Sequence, residues 1–311
     1  MARRRRGRAI DGIVLLDKPL GISSNRLLQR VRGVYQAQKA GHTGNLDPLA
    51  SGVLPICLGE ATKFSQFLLD ADKCYEFTAQ FGKLTTTGDS EGEVLQTCDA
   101  SGVEESHVIA AAQQFVGLIE QVPPMYSALK HNGRPLYELA RQGIEVERKS
   151  RAVTILKLEL LAFRPGPEAE ADFAVTCTKG TYVRTLAEDI GEVLKVGAYV
   201  TALRRTTSSG FELVGCHLFE DLQALADKND LEGLDNLLLP VDTALKSLPK
   251  VELDDECGYY LRRGQPVRVK DSPNSGLVRL NLCSGEFLGM GEISDDGRIQ
   301  PRRLIASETC L

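Results

Sequence analysis

Strand-like and helix-like segments follow one another in this chain without a βαβ rhythm, and that order argues for an α+β arrangement. Residues 73–81, KCYEFTAQF, alternate as a strand that turns Tyr75, Phe77, Ala79 and Phe81 to one side. GIVLLDKPLG (12–21) reads as a short buried strand ending in a Pro-Gly turn. Ser23 or Ser24 caps a helix whose Leu27, Leu28, Val31 and Val34 share a face. VLPICLG (53–59) is a buried strand, and EATKFSQFLLDA (60–71) an amphipathic helix with Ala61, Phe64, Phe67 and Leu68 inward. The spacing predicts a helix over 104–117, a Pro-rich loop and short helix over 121–143, and a long strand over 151–163. DFAVTC continues as strand, turns at Lys179–Gly180 and gives way to a helix, and two helical stretches follow residue 217. The pattern is that of an α+β main domain. From residue 248 the texture changes to short β-prone pieces, PVRVK, GLVRLNL and EFLGMGEI, between Gly, Pro and Asp turns. We therefore expect a basic tail over 1–10, a main domain over 11–247 and a small β-rich domain over 248–311. At about 60 residues the last is marginal alone and must lean on the main body.

Charge gives no support to a nucleic-acid partner. The net charge is −5, and the first ten residues hold five arginines and no acid, which leaves −10 for the rest. An RNA site must then be a local basic patch on an acidic body. Lys130/His131/Arg134, Arg148/Lys149/Arg151, Arg204/Arg205, Arg262/Arg263 and Arg302/Arg303 are the clusters available, each equally readable as solvated surface. The tail can be a phosphate contact or plain disorder. The eight cysteines contain no C-x-x-C pair and no His–Cys cluster at metal-ligand spacing, so neither zinc nor a disulfide framework is expected. No apolar run reaches the ~20 residues of a membrane span, and the Arg-rich start lacks the apolar segment of a secretory signal. The expected location is the cytoplasm.

One loop is unusual in its make-up. KAGHTGNLDPLASG (39–52) holds three glycines, which free the backbone, and Pro48, which stiffens it directly after an acid. His42 and Asp47 are its only ionisable side chains after Lys39. Asp before Pro is also ordinary turn chemistry, and a loop His is commonly just solvated, so spacing alone leaves both readings open.

GHTGNLDPLASGVLPICLGEATK resembles the active-site signature of the bacterial tRNA pseudouridine-55 synthases, the TruB-type family. The likeness runs on through GIVLLDKPLGISSN, KCYEF, PPMYSALKHNGRPLYELARQGIEV, KGTYVRT, ALRR and GMGEISDDGRIQPRRL. Ordered blocks along nearly the whole chain are far more specific than one motif. The resemblance implies a pseudouridine-synthase core of mixed sheet with flanking helices, followed by a PUA-like RNA-binding domain. It places the family's catalytic carboxylate on Asp47, its base-stacking aromatic on Tyr75, and the His that fills the space of the extruded base on His42. Tyr182 and Leu203 fall on pocket positions, and Arg184 on the partner of the catalytic acid. Lys18 matches a structural or RNA-facing lysine. Asn45 stands where the family has a small residue, and Thr86 where it has Asp.

The implied reaction isomerises uridine 55 in the tRNA T-loop on a flipped-out base. All the atoms come from the substrate, so no cofactor or metal is expected, and neither a GxxxxGK loop nor a zinc-deaminase pattern occurs. A monomer acting on the tRNA T-arm, with no obligate protein partner and no membrane contact, is the expected form. Two rivals stay in view: a non-catalytic tRNA-binding chaperone, and a synthase acting on another RNA. A small-molecule glycosidase would present two carboxylates rather than one.

Overall fold

The computed structural model describes residues 7–306. Arg3–Arg6 of the basic tail lie outside them. Strand β1 (Gly12–Lys18) leads into helix α1 (Ser24–Val34), short strand β2 (Ala40–His42) and strand β3 (Ala50–Leu58). Helix α2 (Ser65–Asp70), strand β4 (Lys73–Phe81) and a hairpin of β5 (Lys83–Thr85) and β6 (Val94–Thr97) follow. Next come α3 (Glu105–Gln113), β7 (Gly117–Gln121), a small hairpin of β8 (Lys130–His131) and β9 (Arg134–Pro135), and α4 (Leu136–Ala140). Strands β10 (Arg151–Arg164) and β11 (Glu170–Cys177), helix α5 (Val183–Val193) and strands β12 (Ala198–Ser208) and β13 (Phe211–Glu212) complete the main sheet. After α6 (Phe219–Asp227) and α7 (Leu231–Asp235), the chain forms β14 (Lys250–Leu253), α8 (Asp255–Arg262), β15 (Gly276–Leu282), β16 (Phe287–Ile293) and β17 (Ile299–Leu304).

The main sheet runs β1-β3-β12-β4-β11-β10-β7, with β2 and β13 attached to β3 and β12. It is mixed: β12 pairs parallel with β3 and antiparallel with β4. Tyr75, Phe77, Ala79 and Phe81 all point into the core, as the alternation of β4 requires. Helix α1 buries Leu27, Leu28, Val31 and Val34, and Ser23 is its cap, accepting from the Arg26 amide.

Several boundaries differ from the sequence reading. The predicted helix over 60–71 is a 3-10 turn (Gly59–Lys63) followed by α2, with the break at Phe64. Helix α3 stops at Gln113, and Gly117, at φ +105°, opens strand β7 where helix was expected to end. PVRVK contributes a single bridge, Val267 to Ile299, rather than a strand, and the C-terminal region includes helix α8. The largest omission is β12, an interior strand between β3 and β4, whose Arg, Thr and Ser residues mask it as polar surface.

The four-stranded C-terminal sheet, β14-β15-β16-β17, has a core of its own around Leu253, Leu280 and Leu288. A second cluster joins it to the main body: Ile13, Leu15, Phe64 and Leu68 pack with Leu277, Phe287 and Met290. The rings of Phe64 and Phe287 meet edge to face, 5.5 Å between centroids. No described helix is long and apolar enough to cross a membrane. The loop between β2 and β3 runs into Ala50, which pairs with Leu203 of β12, the strand that separates β3 from β4.

Candidate active site

Asp47 stands on the loop between His42, the end of β2, and Ala50, the start of β3. The loop is tied down from several sides. The Ser24 hydroxyl donates to the Leu46 carbonyl at 3.1 Å and accepts from the Leu46 amide at 2.8 Å, so one buried side chain holds the residue before Asp47 by both backbone groups. The Gly21 amide donates to the Pro48 carbonyl at 2.8 Å, and the Ala50 amide to the Asp47 carbonyl at 3.0 Å. Gly52, at φ +108°, is required: a β-carbon there would stand 2.1 Å from the Arg205 carbonyl oxygen.

Ser24 was visible in the sequence only as a possible cap. Replacing it with Ala leaves two buried backbone groups unsatisfied, a loss of about 1–3 kcal/mol each at most. We expect Ser24→Ala to melt lower and to lose about tenfold in single-turnover rate through a displaced Asp47. Melting curves and rapid-quench kinetics check this, and an unchanged rate would free Ser24 of any positioning role.

Asp47 Oδ2 lies 3.0 Å from Arg184 Nη2. The Asp47 side chain is 39% exposed and that of Arg184 only 5%, so the carboxylate reaches solvent while the guanidinium that pairs with it is buried. Arg184 is shared: Nη1 donates to the Thr87 carbonyl at 2.8 Å and meets Asp89 Oδ2 at 3.2 Å, while Nη2 also donates to the Tyr126 carbonyl at 2.7 Å. The Asp89 carboxylate is itself buried, which makes it the second, structural partner of Arg184. Sequence reasoning passed over it inside TTTGDSEG, although an acid in a glycine-bearing turn was the available signal. Thr86, the departure noted in that turn, accepts the Glu93 amide and so closes the turn locally.

The ionisation of Asp47 differs from the simple expectation. Burial pushes its carboxyl above the ordinary 3.8; Arg184 opposes this, Asp89 reinforces it, and Lys18 opposes it more weakly. Arg184 therefore limits the rise of the Asp47 pKa rather than carrying it below the ordinary value.

Tyr75 and Leu203 lie on the same side of the sheet and pack in one core cluster with Leu46, under the loop. Burial raises the Tyr75 phenol, with Arg205 pulling the other way. Tyr182 precedes α5, where the Gln121 side chain accepts from its amide at 3.0 Å and donates to its carbonyl at 3.3 Å. Arg184 follows on the first turn of α5, so one helix start delivers both residues. His42 is half-buried; burial and the nearby Arg205 charge lower its proton affinity, and its Nδ1 is enclosed without a partner among the described residues. Asp47, Arg184, Tyr75, Leu203, Tyr182 and His42 thus come from β2, the loop after it, β4, β12 and the start of α5.

Lys18 faces inward. It is fully buried, its Nζ donates to the Pro19 and Ile22 carbonyls at 2.9 and 2.7 Å, and burial drops it to about 8. It is the structural lysine of the two options, not the RNA-facing one. The Arg204/Arg205 pair is not a surface patch either. Adjacent strand residues point to opposite faces. Arg204 pairs with Asp17 at 2.6 Å and Arg205 lies in the interior. Lys130, His131, Arg134, Lys149 and Arg151 are exposed, on the segment whose Tyr126 carbonyl touches Arg184. No cluster of three metal-ligating side chains occurs among the described residues.

Comparison with known proteins gives this arrangement its family. The TruB family pseudouridylate synthase (N terminal domain) model matches residues 32–183. The tRNA pseudouridylate synthase B C-terminal domain matches 184–246, and the C-terminal model of pseudouridine synthase II TruB matches 249–305. The tRNA pseudouridine synthase B of Nitrosococcus oceani is 55% identical over 307 residues, spanning 99% of this chain and 98% of that protein. The enzyme of the same name from Pseudomonas fluorescens is 54% identical over 97% of each chain. Among solved structures, a Cbf5-Nop10-Gar1 complex is similar with a TM-score of 0.70 and 26% identity, covering 94% of this chain and 84% of that one. An H/ACA RNP bound to a substrate RNA containing 2'-deoxyuridine shares the fold at a TM-score of 0.73 and 23% identity, over 99% of this chain and 92% of that one. With half its residues shared with such relatives along almost its entire length, the chain belongs to the TruB family of pseudouridylate synthases.

Proposed function

We propose that this protein converts uridine 55 in the T-loop of tRNA to pseudouridine, with Asp47 as the catalytic carboxylate acting on a flipped-out base. The observation that carries the reading is the half-exposed carboxylate of Asp47 held 3.0 Å from the buried guanidinium of Arg184, with its charge felt at the Tyr75 hydroxyl. In the reaction the C1′–N1 electron pair leaves with the uracil, the base turns, and a C5–C1′ bond forms as C5 gives up its proton and N1 gains one. Asp47 serves either by bonding to C1′ or by taking a proton from the sugar, and both routes need it ionised. Tyr75 receives the face of the base, Tyr182 and Leu203 line the pocket, and His42 fills the vacated stack. The protein acts as a cytoplasmic monomer. Exposed cations over 130–151 meet the T-arm phosphates, and residues 248–311 add a PUA-like RNA-binding unit to the catalytic body of 11–247.

The test is to incubate unmodified tRNA transcript with the purified protein and map pseudouridine by position. Product at 55 alone is expected. A protein that binds tRNA tightly and leaves every uridine intact would favour the chaperone reading, and product at other positions or only in another RNA would overturn the assignment.

A pH profile follows from the site. Since burial raises Asp47 and the reaction needs its anion, the single-turnover rate should fall, on acidification, through a midpoint above the ordinary 3.8. A midpoint at or below that value would contradict the role given to burial.

A further inference from the structure

Arg205 is among the largest fully buried side chains of the molecule, and nothing described so far explains its charge. Its Nε donates to the Val53 carbonyl at 2.7 Å, and its Nη2 is sealed from solvent without a partner among the described residues. Its backbone lies against Gly52, and a β-carbon at Gly44 would stand 3.3 Å from its Nη1. Arg205 therefore meets both flanks of the Asp47 loop, Gly44 with its side chain and Gly52 of β3 with its backbone. In the neighbouring strand Arg205 stands opposite Tyr75, which brings the two side chains together on one face of the sheet. A bulge follows at once between Arg205 and Thr207, and such irregularities re-aim side chains beside active sites. Lys18 and Lys73 are buried nearby, their ammonium groups bonded to backbone carbonyls. A buried cation without an acid is costly, and an apolar side chain of equal length would pack there more cheaply. The charge calls for a function.

We propose that Arg205 is a positioning residue that stabilises the negative charge of the detaching uracil through the Tyr75 side chain. The inference rests on the synthase reading above. Whether Asp47 bonds to carbon or removes a proton, the C1′–N1 electrons depart with the base, and the negative charge spreads onto its O2 and O4. Charge thus moves from Asp47, which Arg184 faces, toward the base over Tyr75, which Arg205 faces. A fixed cation at the second place favours the transition state over the ground state, because the charge arrives there only during reaction. Arg205 cannot touch the RNA itself, being enclosed, so it acts by orienting and polarising the Tyr75 hydroxyl. That Arg205 opposes the burial-driven rise of the Tyr75 phenol is consistent with this coupling.

The test compares Arg205→Met and Arg205→Lys with wild type on two tRNA transcripts, one with uridine at the target position and one with 5-fluorouridine. Fluorine withdraws electrons and makes the base a more stable anion, so that substrate needs less help from the protein. Cleavage is read in single turnover as loss of the target nucleoside after digestion and mass spectrometry, with tRNA affinity measured in parallel. On uridine, Arg205→Met should be slower by about 100-fold, as when one preorganised donor is removed, and Lys should restore about tenfold of this. On 5-fluorouridine the Met penalty should shrink by about tenfold. A merely structural role would displace Asp47 and slow both substrates alike. Equal penalties on the two RNAs, or wild-type rates in Arg205→Met, would overturn the proposal. Should Arg205→Met fail to fold, Arg205→Lys carries the same two-substrate comparison. A wild-type protein that converts neither RNA would instead refute the synthase reading, which keeps the two failures apart.

Discussion

Tyr75→Phe should bind tRNA normally and lose about 100-fold in single-turnover rate, the scale of removing one preorganised hydrogen-bond donor. The ring stays, so the packing of Tyr75 with Phe77, Leu46 and Leu203 survives, and stacking on the flipped base survives with it. Only the hydroxyl is lost, and with it the group through which the buried Arg205 acts on the base. Tyr75→Leu removes the ring as well. It should therefore show the same chemical defect together with weaker binding, since each base–aromatic contact contributes ~1–3 kcal/mol. Core packing alone would produce another pattern, because Phe is then harmless and Leu merely lowers the melting temperature. Rates near wild type for Phe with a poor Leu variant would assign Tyr75 to stacking only, and wild-type rates for both would remove it from the site.

Asp47→Asn should fold, bind tRNA and form no pseudouridine. The sequence alone suggests that Arg184 would be left as an unpaired buried charge. The structure corrects this: Arg184 keeps the Asp89 carboxylate at 3.2 Å and the Thr87 and Tyr126 carbonyls. The linkage sign points the same way. Asp47 titrates higher in the folded chain than unfolded, so its contribution to stability is full below the unfolded value and is lost as pH rises through the folded one. Because the Asp47 side chain is 39% exposed, solvent screening keeps this contribution small, and the neutral amide should melt close to wild type. Affinity for tRNA should stay within about tenfold, ~1.4 kcal/mol, because stacking and phosphate contacts lie on other residues. A variant that unfolds would overturn the view that Asp89 secures Arg184.

The parts of this site that were legible in the sequence are those with local signatures. Glycines and a proline around Asp47 mark a stiff, ligand-facing loop, and strict alternation over 73–81 puts Tyr75 on the inner face of a strand. Resemblance to a family supplied Arg184, Tyr182 and Leu203, which no periodicity links to Asp47 because only the fold brings them near. Strand β12 escaped notice because AYVTALRRTTS is rich in Arg, Thr and Ser, which hides a strand flanked on both edges by partners. For the same reason Arg204 and Arg205 read as one surface patch, although the pleat sends one to Asp17 and the other into the core. The double grip of Ser24 on Leu46 has no sequence signal at all. It depends on where α1 sits against a loop, and that is set by tertiary packing.

The central claim, that the Asp47 carboxylate drives isomerisation of one tRNA uridine, is tested most directly by a single-turnover measurement. Excess wild-type protein and excess Asp47→Asn protein are each mixed with unmodified tRNA transcript, and pseudouridine at position 55 is quantified over time. Complete conversion by wild type and no detectable product from a folded, tRNA-bound Asp47→Asn is the expected result. Conversion by Asp47→Asn at a rate comparable to wild type would show that the carboxylate is not the catalytic group and would contradict the account.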